Sequence, residues 1–229
     1  MAIASTVVLI RLAGLDDAAQ IRSIYNREVE GTTATFDLVP RTLEDQRNWL
    51  AARTGVFSAI VAVDPVAPAV APPAGASAVG DDGSRPGTGH VVGFASLSPY
   101  KERAAYRTTV EDSVYVHRSA QGRGIGTALL EHIVDLAAAS GFHAVMARIE
   151  ATGTASRALH ARCGFELVGI EREVGRKFGR WLDVAVMQRL LQGPLPSTAA
   201  VPVPPGAPVP PGASVPPAAS DPPSPAPAA

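Results

Sequence analysis

Hydrophobic positions along the chain switch repeatedly between two periods. Residues 7–12, apolar apart from Arg11, read as a first strand. Ala18, Ile21, Ile24, Tyr25 and Val29 then recur at helical spacing behind Asp16 and Asp17, either of which can cap that helix. Thr42-Leu-Glu-Asp45 sets an N-cap residue three positions before an acid and predicts a second helix through Trp49 and Leu50. Residues 57–63 and 91–97 read as the two strands of a hairpin, and residues 110–117 as a further strand. In that strand Val110, Asp112, Val114 and Val116 share one face, while Glu111, Ser113, Tyr115 and His117 share the other. A helix opens at Gly124 with Ile125, Leu129, Ile133 and Leu136 on one stripe. Residues 144–149 predict a strand, 156–162 a short helix, and 165–170 and 183–190 the last two strands. Strands with helices inserted between them imply an α/β domain built on a mixed sheet.

The prolines set the limits of that domain. Of 21, 14 fall in residues 193–229 and five in residues 64–89, which leaves only Pro40 and Pro99 elsewhere. Residues 193–229 repeat a Pro-Val-Pro-Pro-Gly-Ala hexad that lacks amide donors and large side chains, so a disordered Pro/Ala-rich tail is expected. A six-residue glycine spacing is not that of collagen. No Arg or Lys flanks the repeat, which favours a passive tail over a ligand for proline-recognising domains. Residues 64–89 read as a low-complexity loop insert within a domain spanning 1–192.

Composition narrows the function classes. A formal charge of -1 gives no broad electrostatic footprint for nucleic acid, and a single Cys allows neither an internal disulfide nor a cysteine-rich metal cluster. The first apolar run has no basic residue ahead of it and stops at Arg11, unlike a signal peptide. No stretch reaches the roughly eighteen apolar residues of a membrane span. A cytoplasmic protein with no membrane or metal partner is expected.

The chemistry-bearing motif is Val114-Tyr-Val-His-Arg-Ser-Ala-Gln121-Gly-Arg-Gly124-Ile-Gly126-Thr127, a strand running through a glycine-rich turn into a helix. Glycines allow close backbone approach, and free N–H groups at a helix start make an anion site suited to a pyrophosphate. No Gly-Lys-Ser/Thr follows, so this is not a Walker loop. Nor does the motif open the first βαβ unit as a dinucleotide fingerprint does, and where that fingerprint wants an acid about twenty residues on, Asp135 is nine residues past Gly126 and within the helix. Gln121-x-x-Gly124-x-Gly126 resembles the acyl-CoA signature of the GCN5-related N-acetyltransferases (GNATs). Ser156-Arg-Ala-Leu-His160-Ala-Arg-Cys-Gly164-Phe165 resembles the helix and Gly-Phe turn after that fold's fifth strand. Lys101-x-Arg103-x-x-Tyr106, Thr109-Val-Glu111-Asp-Ser-Val-Tyr-Val116, Gly175-Arg-Lys177-Phe-Gly179-Arg-Trp181-Leu-Asp183 and Thr35-Phe36 ahead of Pro40 narrow the resemblance to the phosphinothricin and methionine sulfoximine acetyltransferase group.

The resemblance implies a single-domain GNAT fold with a mostly antiparallel sheet flanked by helices, acetyl-CoA as co-substrate, and a homodimer. It makes Glu111 the base for the acceptor amine and puts His160 where the superfamily often has a thiolate-protonating tyrosine. A packing histidine is an equally good reading of that position. Pantetheine is expected on the backbone of Val114, Tyr115 and Val116, and pyrophosphate on Gly122, Arg123, Gly124, Ile125, Gly126 and Thr127, with Gln121, Gly153 and Ser156 nearby. Arg123 is either a phosphate partner or an ordinary exposed arginine. Gly153 replaces an asparagine frequent in the family. Phe36, Lys101, Arg103, Tyr106, Glu111 and Ser113 are expected to hold a small amino-acid-like amine; Lys177, Trp181 and Asp183 are expected to brace the last strands or a dimer contact. N-acetylation of an amino-acid analogue by direct transfer follows. A different amine, or a non-catalytic acyl-CoA-binding scaffold that uses the tail, are the alternatives.

Overall fold

The computed structural model describes residues 8–53, 55–65 and 89–191. The interior of the expected insert, the tail repeat and residue 7 of the first apolar run lie outside the described residues. Elements follow in the order β1 (Leu9–Leu12), α1 (Ala18–Gly31), α2 (Leu43–Ala51), β2 (Ala59–Asp64), β3 (His90–Pro99), β4 (Thr109–Val116), α3 (Ile125–Ala139), β5 (Ala144–Glu150), α4 (Thr154–Arg162), β6 (Glu166–Lys177) and β7 (Arg180–Leu190).

The seven strands form one sheet in the order β1-β2-β3-β4-β5-β7-β6. Every neighbouring pair is antiparallel except β4 and β5. Strand alternation sends β2 and β3 side chains to two separate cores. Ile60, Ala62, Ala95 and Leu97 pack with the α3 stripe of Ile125, Leu129 and Ile133, while Val61, Val63, Val91 and Phe94 pack with Ile21, Ile24 and Val29 of α1. Each large aliphatic chain taken out of water in this way contributes about 1.5–3 kcal/mol.

Local signals explain most boundaries. Thr42 and Asp45 form the expected capping box, with Thr42 Oγ1 accepting from the Asp45 amide at 3.1 Å and Asp45 Oδ2 accepting from the Thr42 amide at 3.0 Å. Capping of α1 differs from expectation. Asp17 gives α1 no side-chain cap, because its carboxylate is held by Arg11 at 2.7 and 2.8 Å and by the Gly14 amide at 2.8 Å, which close the preceding 3-10 turn instead.

The last hairpin is longer than expected, since β6 continues to Lys177 and β7 begins at Arg180. Phe178 and Gly179, with φ of 50° and 75°, supply the two positive-φ positions of a tight hairpin turn and let the strands run to its edge. A bulge interrupts β6 between Glu171 and Gly175, and Asp183 Oδ1 accepts the amide of the bulged Glu173 at 2.8 Å.

Candidate functional site

β4 and β5 pair only at Thr109–Ala144, Val110–Val145 and Glu111–Met146. Beyond that point β4 continues to Val116 against β3, and β5 continues to Glu150 against β7, without pairing to each other. Diverging parallel strands leave facing backbone edges unpaired in the middle of the sheet. A cleft of about 1270 Å³ occupies the gap, walled by Glu111 to Val116 of β4 and Ala147 to Glu150 of β5.

The gap opens onto both sheet faces. On the α1 side it meets Tyr25 and the loop through Thr33, Thr35 and Phe36; on the α3 and α4 side it meets Ile125, Leu159 and His160. Gln121, Gly122, Gly124, Gly126 and Thr127 line its far end, with Gly153 and Ser156 of the α4 start beside them. Gly122 and Gly124 have φ of 75° and 80°, a conformation that favours glycine and turns the chain sharply into α3. A Cβ on Gly126 would lie 3.2 Å from Leu159 Cδ2, so a small residue there keeps α3 close to α4. The first-turn amides of α3 have no intrahelical acceptor. Loop, helix start and open strand edge together fit a ligand with an amide-bearing arm and a phosphate anion.

Arg123 is directed elsewhere. Its guanidinium contacts Asp64 Oδ2 at 2.7 Å, at the end of β2, and Asp64 is nearly buried, so the loop arginine ties the glycine turn to the sheet instead of lining the cleft.

Glu111 lies on the cleft wall with its carboxyl pushed above the usual carboxylate range by burial. The Arg148 charge opposes that rise, and Asp112 and Glu171 add to it. Arg148, also in the cleft, is paired to Glu171 at 2.6 Å. On the opposite face of β4, Asp112 is buried and its Oδ2 lies 3.1 Å from His160 Nε2. Burial alone would lower the imidazole's proton affinity, but the Asp112 hydrogen bond and charge, with the Ser156 carbonyl, raise it above its ordinary value.

The α1–α2 loop is pinned at several points. Thr33 Oγ1 reaches Glu150 Oε2 at 3.3 Å, and Tyr25 Oη bonds Thr35 Oγ1 at 2.9 Å and Asp37 Oδ2 at 2.6 Å. Lys177 Nζ donates to the Thr35 carbonyl at 2.8 Å, and the Phe36 ring packs directly on Gly175. The expected bracing role of Lys177 is therefore toward the cleft loop, across from its own hairpin.

Lys101, Arg103 and Tyr106 are not among the cleft walls. They lie exposed on the β3–β4 connection, with Lys101 Nζ 4.8 Å and 5.2 Å from the Tyr100 and Tyr106 ring centres. Tyr100 packs against Met146, Val184 and Val186, and Met146 is the register partner of Glu111. Tyr100 thus links Lys101 to the Glu111 end of the gap.

Sequence reasoning missed Asp112, Arg148 and Glu150. Asp112 carried a readable signal, since an acid on a face of valines must find a buried partner. Arg148 and Glu150 carried none, because only the divergence of β4 and β5 brings them to the cleft.

Among the described residues no helix is long and apolar enough to cross a membrane, and no cluster of His, Cys, Asp and Glu has the make-up of a metal site. Residues 70–165 match the acetyltransferase (GNAT) family. The chain is 37% identical over 180 residues to an L-methionine sulfoximine/L-methionine sulfone acetyltransferase of Pseudomonas paraeruginosa, covering 78% of this chain and 92% of that protein. It is 38% identical over 178 residues to a phosphinothricin N-acetyltransferase of Streptomyces coelicolor, covering 77% and 92%. A GNAT superfamily phosphinothricin acetyltransferase from Sinorhizobium meliloti, solved in complex with AcCoA, superposes with a TM-score of 0.68 at 34% identity over 80% of this chain and 88% of that one.

Proposed function

Because this chain belongs to the GNAT acetyltransferase family, we propose that its cleft binds acetyl-CoA and passes the acetyl group directly to the α-amino group of a small amino-acid analogue of the phosphinothricin, methionine sulfoximine or methionine sulfone type. The observation that carries the reading is the opening between β4 and β5 at Glu111, which sets a carboxylate base on one face of the sheet and a histidine on the other.

When bound, acetyl-CoA supplies an activated thioester. The amides from Gly122 to Thr127 hold the pyrophosphate, and the open β4 edge at Val114, Tyr115 and Val116 holds the pantetheine arm. Gln121, Gly153 and Ser156 complete that wall. Glu111 takes a proton from the acceptor ammonium, directly or through water, and its raised affinity suits it to this step near neutral pH. A strand amide between Val114 and Val116 stabilises the negative charge that develops on the carbonyl oxygen. His160 stands on the side of the leaving thiolate.

Phe36 and Ser113 shape the acceptor end. Arg103 and Lys101 hold the acceptor's anionic groups from the rim with Tyr106, a task suited to a guanidinium. Residues 1–192 suffice for catalysis, and the tail is passive. The protein is cytoplasmic and acts as a homodimer, with exposed Phe178 and Trp181 of the last hairpin as the apolar contact.

The test is acetyl-CoA-dependent thiol release against phosphinothricin, methionine sulfoximine, methionine sulfone, ordinary amino acids and spermidine. Turnover of the first three, with Arg103→Ala raising KM and Glu111→Ala lowering kcat, is the expected result. Turnover of spermidine alone overturns the acceptor assignment. Sedimentation of wild type and Trp181→Glu checks the dimer.

A further inference from the structure

Two buried side chains at the cleft wall are arranged to share a proton. The His160 and Asp112 side chains are 4% and 1% exposed, with Nε2 3.1 Å from Oδ2. Nδ1 of the same ring lies 2.8 Å from the Ser156 carbonyl oxygen, and the Ser156 hydroxyl is more distant at 3.5 Å. A carbonyl oxygen only accepts, so the shorter contact calls for a proton on Nδ1. An ionised carboxylate also only accepts, so Nε2 calls for one as well. Neutral imidazole carries a single proton, and either tautomer sets a ring lone pair against a buried oxygen. One further proton removes the conflict, as imidazolium against carboxylate or imidazole against carboxyl. Phe165 fixes the ring plane by edge contact at 5.0 Å and 83°. Asp112 Oδ1 is buried without a hydrogen-bond partner among the described residues, and both side chains belong to the cleft wall.

We propose that Asp112 is a catalytic residue: it shares this proton with His160 and delivers it to the sulfur of the departing CoA thiolate, with His160 as the positioning residue that keeps the pair loaded. The inference rests on the acetyl-transfer reading of the cleft. As the C–S bond breaks, its electron pair goes to sulfur. The Nε2–H bond breaks as Oδ2 takes the proton, the carboxyl rotates to present that O–H where Oδ1 stood, and the S–H bond forms. His160 is left neutral beside an ionised Asp112, the state with the lone-pair conflict, and one proton from solvent reloads the pair.

The direction of the His160 shift agrees with this charge state. The other titratable groups close to the pair are Glu111, next to Asp112 on β4, and the buried Cys163 at the end of α4, whose thiol burial pushes up and which has Glu131, Arg162 and Arg189 around it. None of these replaces Asp112 as the partner of Nε2.

The experiment is ¹⁵N NMR of the histidine rings in the full chain without substrates, with His160→Gln identifying the signal among five histidines. At about pH 8, where a free imidazole is neutral, His160 should show two protonated nitrogens, and Asp112→Asn should return it to the neutral form. The asparagine amide can donate to Nε2, so shape is kept while the extra proton is lost. In the same variant kcat should fall about 100-fold with the acetyl-CoA Kd unchanged. A neutral wild-type ring at that pH together with an ionised Asp112 carboxylate in the ¹³C spectrum overturns the proposal, as does Asp112→Asn with wild-type kcat. Should Asp112→Asn fail to fold, the wild-type spectrum alone decides the charge state. An imidazolium signal without turnover of any acceptor supports the shared proton and counts against the acetyl-transfer reading.

Discussion

Lys177 Nζ donates to the carbonyl oxygen of Thr35 at 2.8 Å, joining positions 142 residues apart. The last hairpin thereby braces the α1–α2 loop, which lines the cleft. Burial pushes the Lys177 ammonium below its ordinary affinity for a proton, while the charges of Asp37 and Glu28 work against that shift. Lys177→Met leaves a buried carbonyl without its donor, a loss of about 1–3 kcal/mol. Urea unfolding should register that cost, and acceptor KM should rise as the Phe36 wall loosens, with acetyl-CoA affinity retained.

Gly175 backs the Phe36 ring, which lines the cleft, by direct packing. A Cβ on Gly175 would overlap the Phe36 ring, so Gly175→Ala must displace the ring. Steady-state kinetics should show a raised acceptor KM in Gly175→Ala and partial recovery in Gly175→Ala/Phe36→Leu. Equal defects in the single and double variants would contradict this coupling.

The acid limb of kcat/KM should lie above the ordinary carboxylate range if Glu111 is the base we propose, because its carboxyl is buried and a base must be ionised. Arg148→Ala removes the neighbouring cation and should move the limb further up. Glu171→Gln removes an anion and should move it down. Glu111→Gln should lower kcat by about 100-fold or more.

Stability carries a separate pH signature. His160 binds its proton more tightly in the fold than in the unfolded chain, so this contribution is fully present below about pH 6.5 and is lost as pH rises through the raised folded value. The difference in urea midpoint between wild type and Asp112→Asn should therefore be largest in mild acid and narrow toward alkaline pH. A gap that widens with pH would contradict the pairing.

Arg123→Ala separates two uses of the glycine loop. Its guanidinium holds Asp64 at 2.7 Å, so the variant should lose about 1–3 kcal/mol of stability while its acetyl-CoA Kd stays near wild type. A large rise in Kd with normal stability would return Arg123 to phosphate binding.

The mixed, mostly antiparallel character of the sheet and most elements were legible because their signals are local or follow from the family motifs, whereas the strand order is visible only in the fold. The Thr42–Asp45 box, the α3 stripe and the alternation of β4 each depend on neighbours a few positions away. Asp17 was misread because its carboxylate is captured by Arg11, an interaction that propensity does not report. The hairpin end was misread because Phe178 adopts a positive φ that its residue type does not announce. Glu111, Ser113 and the glycine loop, singled out by motif, line the cleft, but the Arg123–Asp64 and Lys177–Thr35 contacts span 59 and 142 positions and became visible only in the fold.

The divergence of β4 from β5 also constrains the order of events. An aperture that traverses the sheet admits one reactant from the α3 side and the other from the α1 side, so neither has to leave before its counterpart enters. Cys163, the only thiol in the chain, is packed in the core and is absent from the aperture, which leaves no sulfur to carry the acyl group between two half-reactions. Double-reciprocal plots with both reactants varied should therefore intersect, the pattern of a ternary complex, in a catalyst whose two entrances are opposite faces of one sheet.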